Sequence, residues 1–180
     1  AGGNSTTFPV AFHGGNGNDI LLGGGGGDYI EGGAGDDTIW TFNGVNVVIA
    51  GEGNDLVLGG SDNDIINGND GRDLIVGDRG ADTISGDAGE DLLIGGLTSY
   101  STNFNALMAV MAEWSSARSY ATRLANISGN GTGPRLNGDS YLIKGQTVQD
   151  DNVVDTLLGG SEYDWFVYTP AEVPKDRVGS

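Results

Sequence analysis

Residues 14–40 read GGNGNDILLGGGGGDYIEGGAGDDTIW, three passes through nearly the same nine letters. Glycine opens each unit and returns at its fourth place, aspartate stands sixth, and an aliphatic residue stands eighth. The frame then runs without insertion from Gly14 to Ile94, which makes nine consecutive nonapeptides. The sixth place holds Asp19, Asp28, Asp37, Asp55, Asp64, Asp73, Asp82 and Asp91, with Asn46 as the single exception. The eighth place holds Leu21, Ile30, Ile39, Val48, Val57, Ile66, Ile75, Ile84 and Leu93. Carboxylates repeated in this way repel one another once the units stack. At a spacing of about 5 Å and an effective dielectric near 20, each pair costs roughly 3 kcal/mol. The pattern therefore asks for a counter-charge.

Composition narrows the class. The chain has 180 residues, with 34 Gly but only 4 Pro, which excludes collagen and a Pro-rich linker. A hydrophobic share of 37% is too low for a wide core and suits a thin one shared along a stack. There are 25 acidic against 8 basic residues, a net charge of −17. Such a surface repels nucleic acid and anionic membranes and attracts cations. No cysteine is present, so disulfides do not hold the fold together. No apolar run is long enough to span a bilayer, so membrane insertion is not expected. The start AGGNSTT carries no secretory signal and is compatible with a terminus left after cleavage.

The unit resembles the RTX, or haemolysin-type calcium-binding, repeat GGxGxDxUx. The resemblance implies an all-β, right-handed parallel β-roll. In that family the first six residues turn, the last three form a short strand, and two units complete one coil. It also implies several Ca²⁺ ions between turns stacked along each edge. Their ligands would be the sixth-place carboxylates together with turn residues Gly15, Gly17, Gly33, Gly35, Gly51, Gly53, Gly60, Asn69, Gly71 and Gly80. Elementary chemistry agrees. Glycine reaches positive φ in tight turns and lets carbonyls point inward. Carboxylate and carbonyl oxygens are the hard donors that Ca²⁺ takes, whereas zinc asks for Cys or His. With two units per coil, Asp19, Asp37, Asp55, Asp73 and Asp91 line one edge without a break. Asp28, Asn46, Asp64 and Asp82 line the other, and Asn46 is expected to weaken or abolish calcium at its flanks.

If eighth-place residues point inward, seventh- and ninth-place residues point outward. Odd units then expose Ile20/Leu22, Thr38/Trp40, Leu56/Leu58, Leu74/Val76 and Leu92/Ile94, an apolar face that asks for a cover. The repeat stops at Gly95-Gly96. Phe104, Leu107, Met108, Met111 and Trp114 follow at helical spacing, as do Tyr120, Leu124 and Ile127. Thr102 or Asn103 could cap this segment, SSARS (115–119) could split it, and Gly129 suits its end. A helix from 103 to about 115 is expected to lie on the odd face across five coils.

A single domain over 1–180 is expected: regular repeats 14–94, an inserted helix and loop 95–140, and degenerate returning coils 141–167. The returning units read YLIKGQTVQ, DDNVVDTLL and GGSEYDWFV, with Val148, Leu157 and Phe166 inward and Asp155 and Asp164 at the sixth place. Metal binding there is left open. Upstream, STTFPVAFH adds a half-coil with Phe12 inward, and the tail from Tyr168 is expected to be extended.

His13 is the only histidine, and no nucleophile elbow, HExxH or phosphate loop occurs, so no enzyme is expected. The function read from these residues is a secreted or cell-surface structural protein that folds on Ca²⁺. It would join copies end to end, as a homo-oligomer or polymer, through open solenoid ends. The alternatives are a C-terminal secretion and folding module of a larger exported protein, and an adhesin. Ice binding is set aside because the third place carries no regular Thr or Asn row.

Overall fold

The computed structural model describes residues 8–167 and 173–174. The beginning of the upstream half-coil (5–7) and most of the tail lie outside the described residues. In chain order the array contains β1 (Ala11–Asn16), β2 (Ile20–Gly24), β3 (Tyr29–Ala34), β4 (Thr38–Phe42) and β5 (Val47–Glu52). It continues through β6 (Leu56–Ser61), β7 (Ile65–Asp70), β8 (Leu74–Arg79), β9 (Thr83–Ala88) and β10 (Leu92–Ile94). The insert supplies β11 (Leu97–Thr98), α1 (Phe104–Trp114), α2 (Tyr120–Ile127) and β12 (Val148–Gln149). The last strands are β13 (Thr156–Gly160), β14 (Trp165–Val167) and β15 (Val173–Pro174).

Successive units alternate between two sheets, ordered β1-β3-β5-β7-β9-β13-β15 and β14-β10-β8-β6-β4-β2. Every pairing within these two sheets is parallel and in register. Ile30 lies beside Val48, Val48 beside Ile66, and Ile66 beside Ile84. This is a parallel β-roll with two inserted helices. Strand alternation sends each eighth-place side chain inward. Ile30, Ile39, Val48, Val57, Ile66, Ile75, Ile84, Leu93 and Leu157 are fully buried between the sheets. Phe12, Leu21 and Phe166 pack against them at the two ends. Phe12 pairs beside Ile30, as the half-coil reading requires.

The helical cover forms a second core. Asn103 caps α1 by accepting from the Ala106 N–H, Ser119 caps α2, and Gly129 follows α2 with φ +81°. Leu107, Val110, Met111 and Trp114 are buried against Leu56, Leu58, Leu74, Val76, Leu92 and Ile94. The cover is shorter than expected. Ile20 and Leu22 remain 69% and 50% exposed. An eleven-residue helix reaches about 16 Å, whereas five strands span about 19 Å. Trp114 is also held toward the far end by Trp165 of β14, with ring centroids 6.4 Å apart.

The expected returning coil at 141–149 does not form. Val148 and Gln149 pair antiparallel with Thr98 and Leu97 in a separate two-stranded sheet. Val148 is buried under the helices, not between the main sheets. The roll resumes at β13, which joins β9, and β14, which joins β10.

Candidate metal-binding edges

The sixth-place residues of each edge form a continuous hydrogen-bonded ladder. Along the odd edge Asp19 N–H donates to Asp37 Oδ1, Asp37 to Asp55, Asp55 to Asp73, Asp73 to Asp91, and Asp91 to Asp164. Along the even edge Val10 N–H donates to Asp28, Asp28 to Asn46, Asn46 to Asp64, Asp64 to Asp82, and Asp82 to Asp155. All ten distances lie between 2.7 and 2.9 Å. A carboxylate oxygen is thus committed to the backbone of the coil before it.

The second oxygen is different. Oδ2 of Asp19, Asp28, Asp37, Asp55, Asp64, Asp73, Asp82 and Asp91 is buried and accepts no hydrogen bond from the protein. An unpaired charge in that position is costly. Burial, first of all, pushes the carboxyls up: Asp55 and Asp64 to about 7, Asp82 and Asp91 to about 8, and Asp73 to about 9. Asp37 is raised for the same leading reason. Neighbouring carboxylates add to the rise, Asp91 acting on Asp73 and Asp64 on Asp82.

Seven of these oxygens face the first-place glycine of their own unit, whereas the unit of Asp55 opens with the buried Ala50. A Cβ on Gly59 would come within 2.6 Å of Asp64 Oδ2 and 2.7 Å of the Gly77 carbonyl, which belongs to the next coil. On Gly23 it would meet Asp28 Oδ2 at 2.5 Å and the Thr41 carbonyl at 2.8 Å. Glycine leaves room there, and what borders the room is carboxylate and carbonyl oxygen from two coils. That donor set fits a hard divalent cation.

The ten turn residues named from the resemblance share one conformation. Gly15, Gly17, Gly33, Gly35, Gly51, Gly53, Gly60, Asn69, Gly71 and Gly80 all have positive φ, from 74° at Asn69 to 143° at Gly71. Phe42, Asp62, Asp78, Asp87 and Glu162 adopt it as well, at second or fourth places where the repeat offers no glycine. Left-handed backbone at such residues costs on the order of 1–3 kcal/mol each, so the stacked coils impose it.

Among the described residues no three His, Cys, Asp or Glu side chains group as a metal site. Any site here draws on one carboxylate per coil plus main-chain oxygens. Asp155 and Asp164 extend both ladders, a continuation that the sequence reading left open. The signal was present in the frame of DDNVVDTLL and GGSEYDWFV, but placing YLIKGQTVQ as a coil would have put each on the opposite edge. His13 lies on β1, exposed, with Nδ1 2.5 Å from Glu31 Oε2 of the neighbouring coil, a surface pairing.

The family of RTX calcium-binding nonapeptide repeats, whose model describes four copies of the unit, matches residues 13–41, 40–75 and 67–98. The array from 13 to 98 belongs to that family, and its fold is that of a calcium-binding β-roll. A search of curated proteins and a search of solved structures each returned no match. No helix among the described residues is long and apolar enough to cross a membrane.

Proposed function

We propose that this chain is an extracellular structural module whose roll closes when Ca²⁺ enters between stacked turns. The observation that carries this reading is the row of buried Oδ2 atoms with no protein donor, repeated along both edges. The ions are held by Asp19, Asp37, Asp55, Asp73 and Asp91 on one edge and by Asp28, Asp64 and Asp82 on the other. Carbonyls of the positive-φ turns complete each shell. Calcium neutralises the stacked carboxylates, and the chain supplies the frame that fixes their spacing. Affinity matches extracellular calcium, on the order of 10⁻⁴–10⁻³ M. No catalytic role is assigned to any residue.

The first coil supports assembly. Among the described residues β1 and β2 are the outer strands of their sheets at that end, and Ile20 and Leu22 of β2 lie bare. An open parallel edge with apolar neighbours favours pairing with another copy. Circular dichroism and sedimentation during a calcium titration test both parts. β signal and melting temperature are expected to rise with calcium and to fall in EDTA, together with growth of oligomers in calcium. A roll indifferent to EDTA removes the calcium reading; monomers alone at millimolar calcium remove the assembly.

A further inference from the structure

Unit 41–49 departs from the repeat at its first, second and sixth places, and the side chains at the first and sixth both bond to the next coil of the even edge. Asn46 keeps the ladder, since its Oδ1 accepts from Asp28 N–H at 2.8 Å and its own N–H donates to Asp64 Oδ1 at 2.8 Å. Its other branch carries protons. Nδ2 donates to the Gly44 carbonyl at 2.7 Å and to Asp64 Oδ1 at 3.0 Å. In the eight Asp units the corresponding atom is a carboxylate oxygen without a donor. Thr41 stands where the repeat has its first-place glycine, and it is fully buried. Its hydroxyl donates to the carbonyl of Gly59, the first-place residue of the next coil. That is the carbonyl homologous to Gly77 O, which borders the room beside Gly59 and Asp64 Oδ2 one coil further on.

We infer that the interval between units 41–49 and 59–67 is a metal-free tie, closed by Thr41 and Asn46 with protons where the other intervals use calcium. Three features agree. The side chain of Thr41 stands where the other units of the even edge have Gly23, Gly59 and Gly77. The amide of Asn46 brings donors to two oxygens and no charge. Both residues are inaccessible to solvent, so neither substitution is a surface accident. The even edge is therefore divided, with Asp28 on one side of the tie and Asp64 and Asp82 on the other, while the odd edge runs unbroken. The tie gives the roll one coil-to-coil joint that holds before calcium arrives.

This inference rests on the proposed calcium function, and one experiment separates the two. Calcium per folded chain is counted by atomic emission after equilibrium dialysis, for wild type and for Thr41→Gly/Asn46→Asp. The double variant restores the repeat at its first and sixth places and is expected to hold one additional ion per chain. A wild type that binds calcium with no increase in the variant overturns the tie alone. A wild type that binds none overturns the proposed function and the tie with it. Hydrogen exchange on wild type in EDTA decides independently of the variant's folding. The amides of Asn46 and Ile65, bonded across the tie and just beyond it, should exchange about tenfold more slowly than those of Asp55 and Asp73. Equal rates overturn the tie.

Discussion

Asp55 takes the backbone N–H of Asp37 on one carboxylate oxygen, at 2.7 Å, and keeps its other oxygen buried without a protein donor. The two oxygens of one side chain thus perform separable tasks. The first sets the register between coils, and the second sets the demand for a cation.

Asparagine at a sixth place should divide those tasks. Asp73→Asn keeps an acceptor for the Asp55 N–H and removes the charge, so its melting temperature in EDTA should equal or exceed that of wild type. In calcium it should gain less than wild type does. Asp73→Ala loses the acceptor as well and should cost about 1–3 kcal/mol in either condition. Asp55→Ala should behave likewise, and changing Asn46 to Ala should forfeit less calcium-dependent stability than either. Thermal melts of the set, with and without calcium, check the order; equal losses throughout would contradict it.

At Gly59 the absence of a side chain is required for space. Gly59→Ala drives a Cβ to 2.6 Å from Asp64 Oδ2 and 2.7 Å from the Gly77 carbonyl, and Asp64 is fixed in the ladder through its other oxygen. A loss of about 1–3 kcal/mol and of calcium from that interval is expected. Gly24→Ala is the control, because a Cβ there meets nothing within 4 Å. It should stay within about 0.5 kcal/mol of wild type. Denaturant midpoints in calcium compare the two.

Metal-free stability should fall as pH rises. Burial holds the carboxyls of Asp55, Asp64, Asp73, Asp82 and Asp91 at about 7 to 9 in the folded chain. Unfolded aspartates titrate near 4, at about 3.9. Between those limits the folded state binds more protons than the unfolded state, so each unit of pH through that window costs stability. Melts in EDTA should rank pH 5 above pH 7 above pH 9. Calcium competes with those protons, so the calcium midpoint should tighten over the same rise. A metal-free roll that is most stable at pH 9 would contradict the burial of these charges.

The helical cover is anchored at one end. Trp114 is fully buried, stands edge-on to Tyr120 with centroids 5.8 Å apart, and carries the Arg123 guanidinium 5.1 Å from its ring centroid. Arg123 in turn pairs with Glu90 of the roll. Trp114→Ala should cost about 3–5 kcal/mol and bare Leu74, Leu92 and their neighbours to a hydrophobic dye. Unchanged dye binding would show that the helices stay seated without it.

Much of the candidate site was legible because its determinants are local and repeated. One carboxylate per nonapeptide, in strict frame, places every ladder residue from Asp19 to Asp91 once two units make a coil. Asn46 stood out for the same reason, as the one break in a row. The loss of glycine at Thr41 is visible in its unit, but its bond to the Gly59 carbonyl depends on which coil lies next, and no single unit records that.

The insert was read less completely. Its two helices and the Asn103 cap follow from spacing and capping chemistry within a few residues. Where the chain re-enters the roll does not. Val148 satisfies the eighth-place rule as well as Leu157 does, and only pairing with Thr98 takes it out of the count. Asp82 meets Asp155, and Asp91 meets Asp164, across 73 residues of chain instead of 18. The sequence by itself determined the coil, its inward row and its stacked carboxylates, because each depends on residues within one or two units. Only the tertiary structure decided which late strands close the roll, how far the helices reach, and what Thr41 touches, because those contacts join segments whose separation no period encodes.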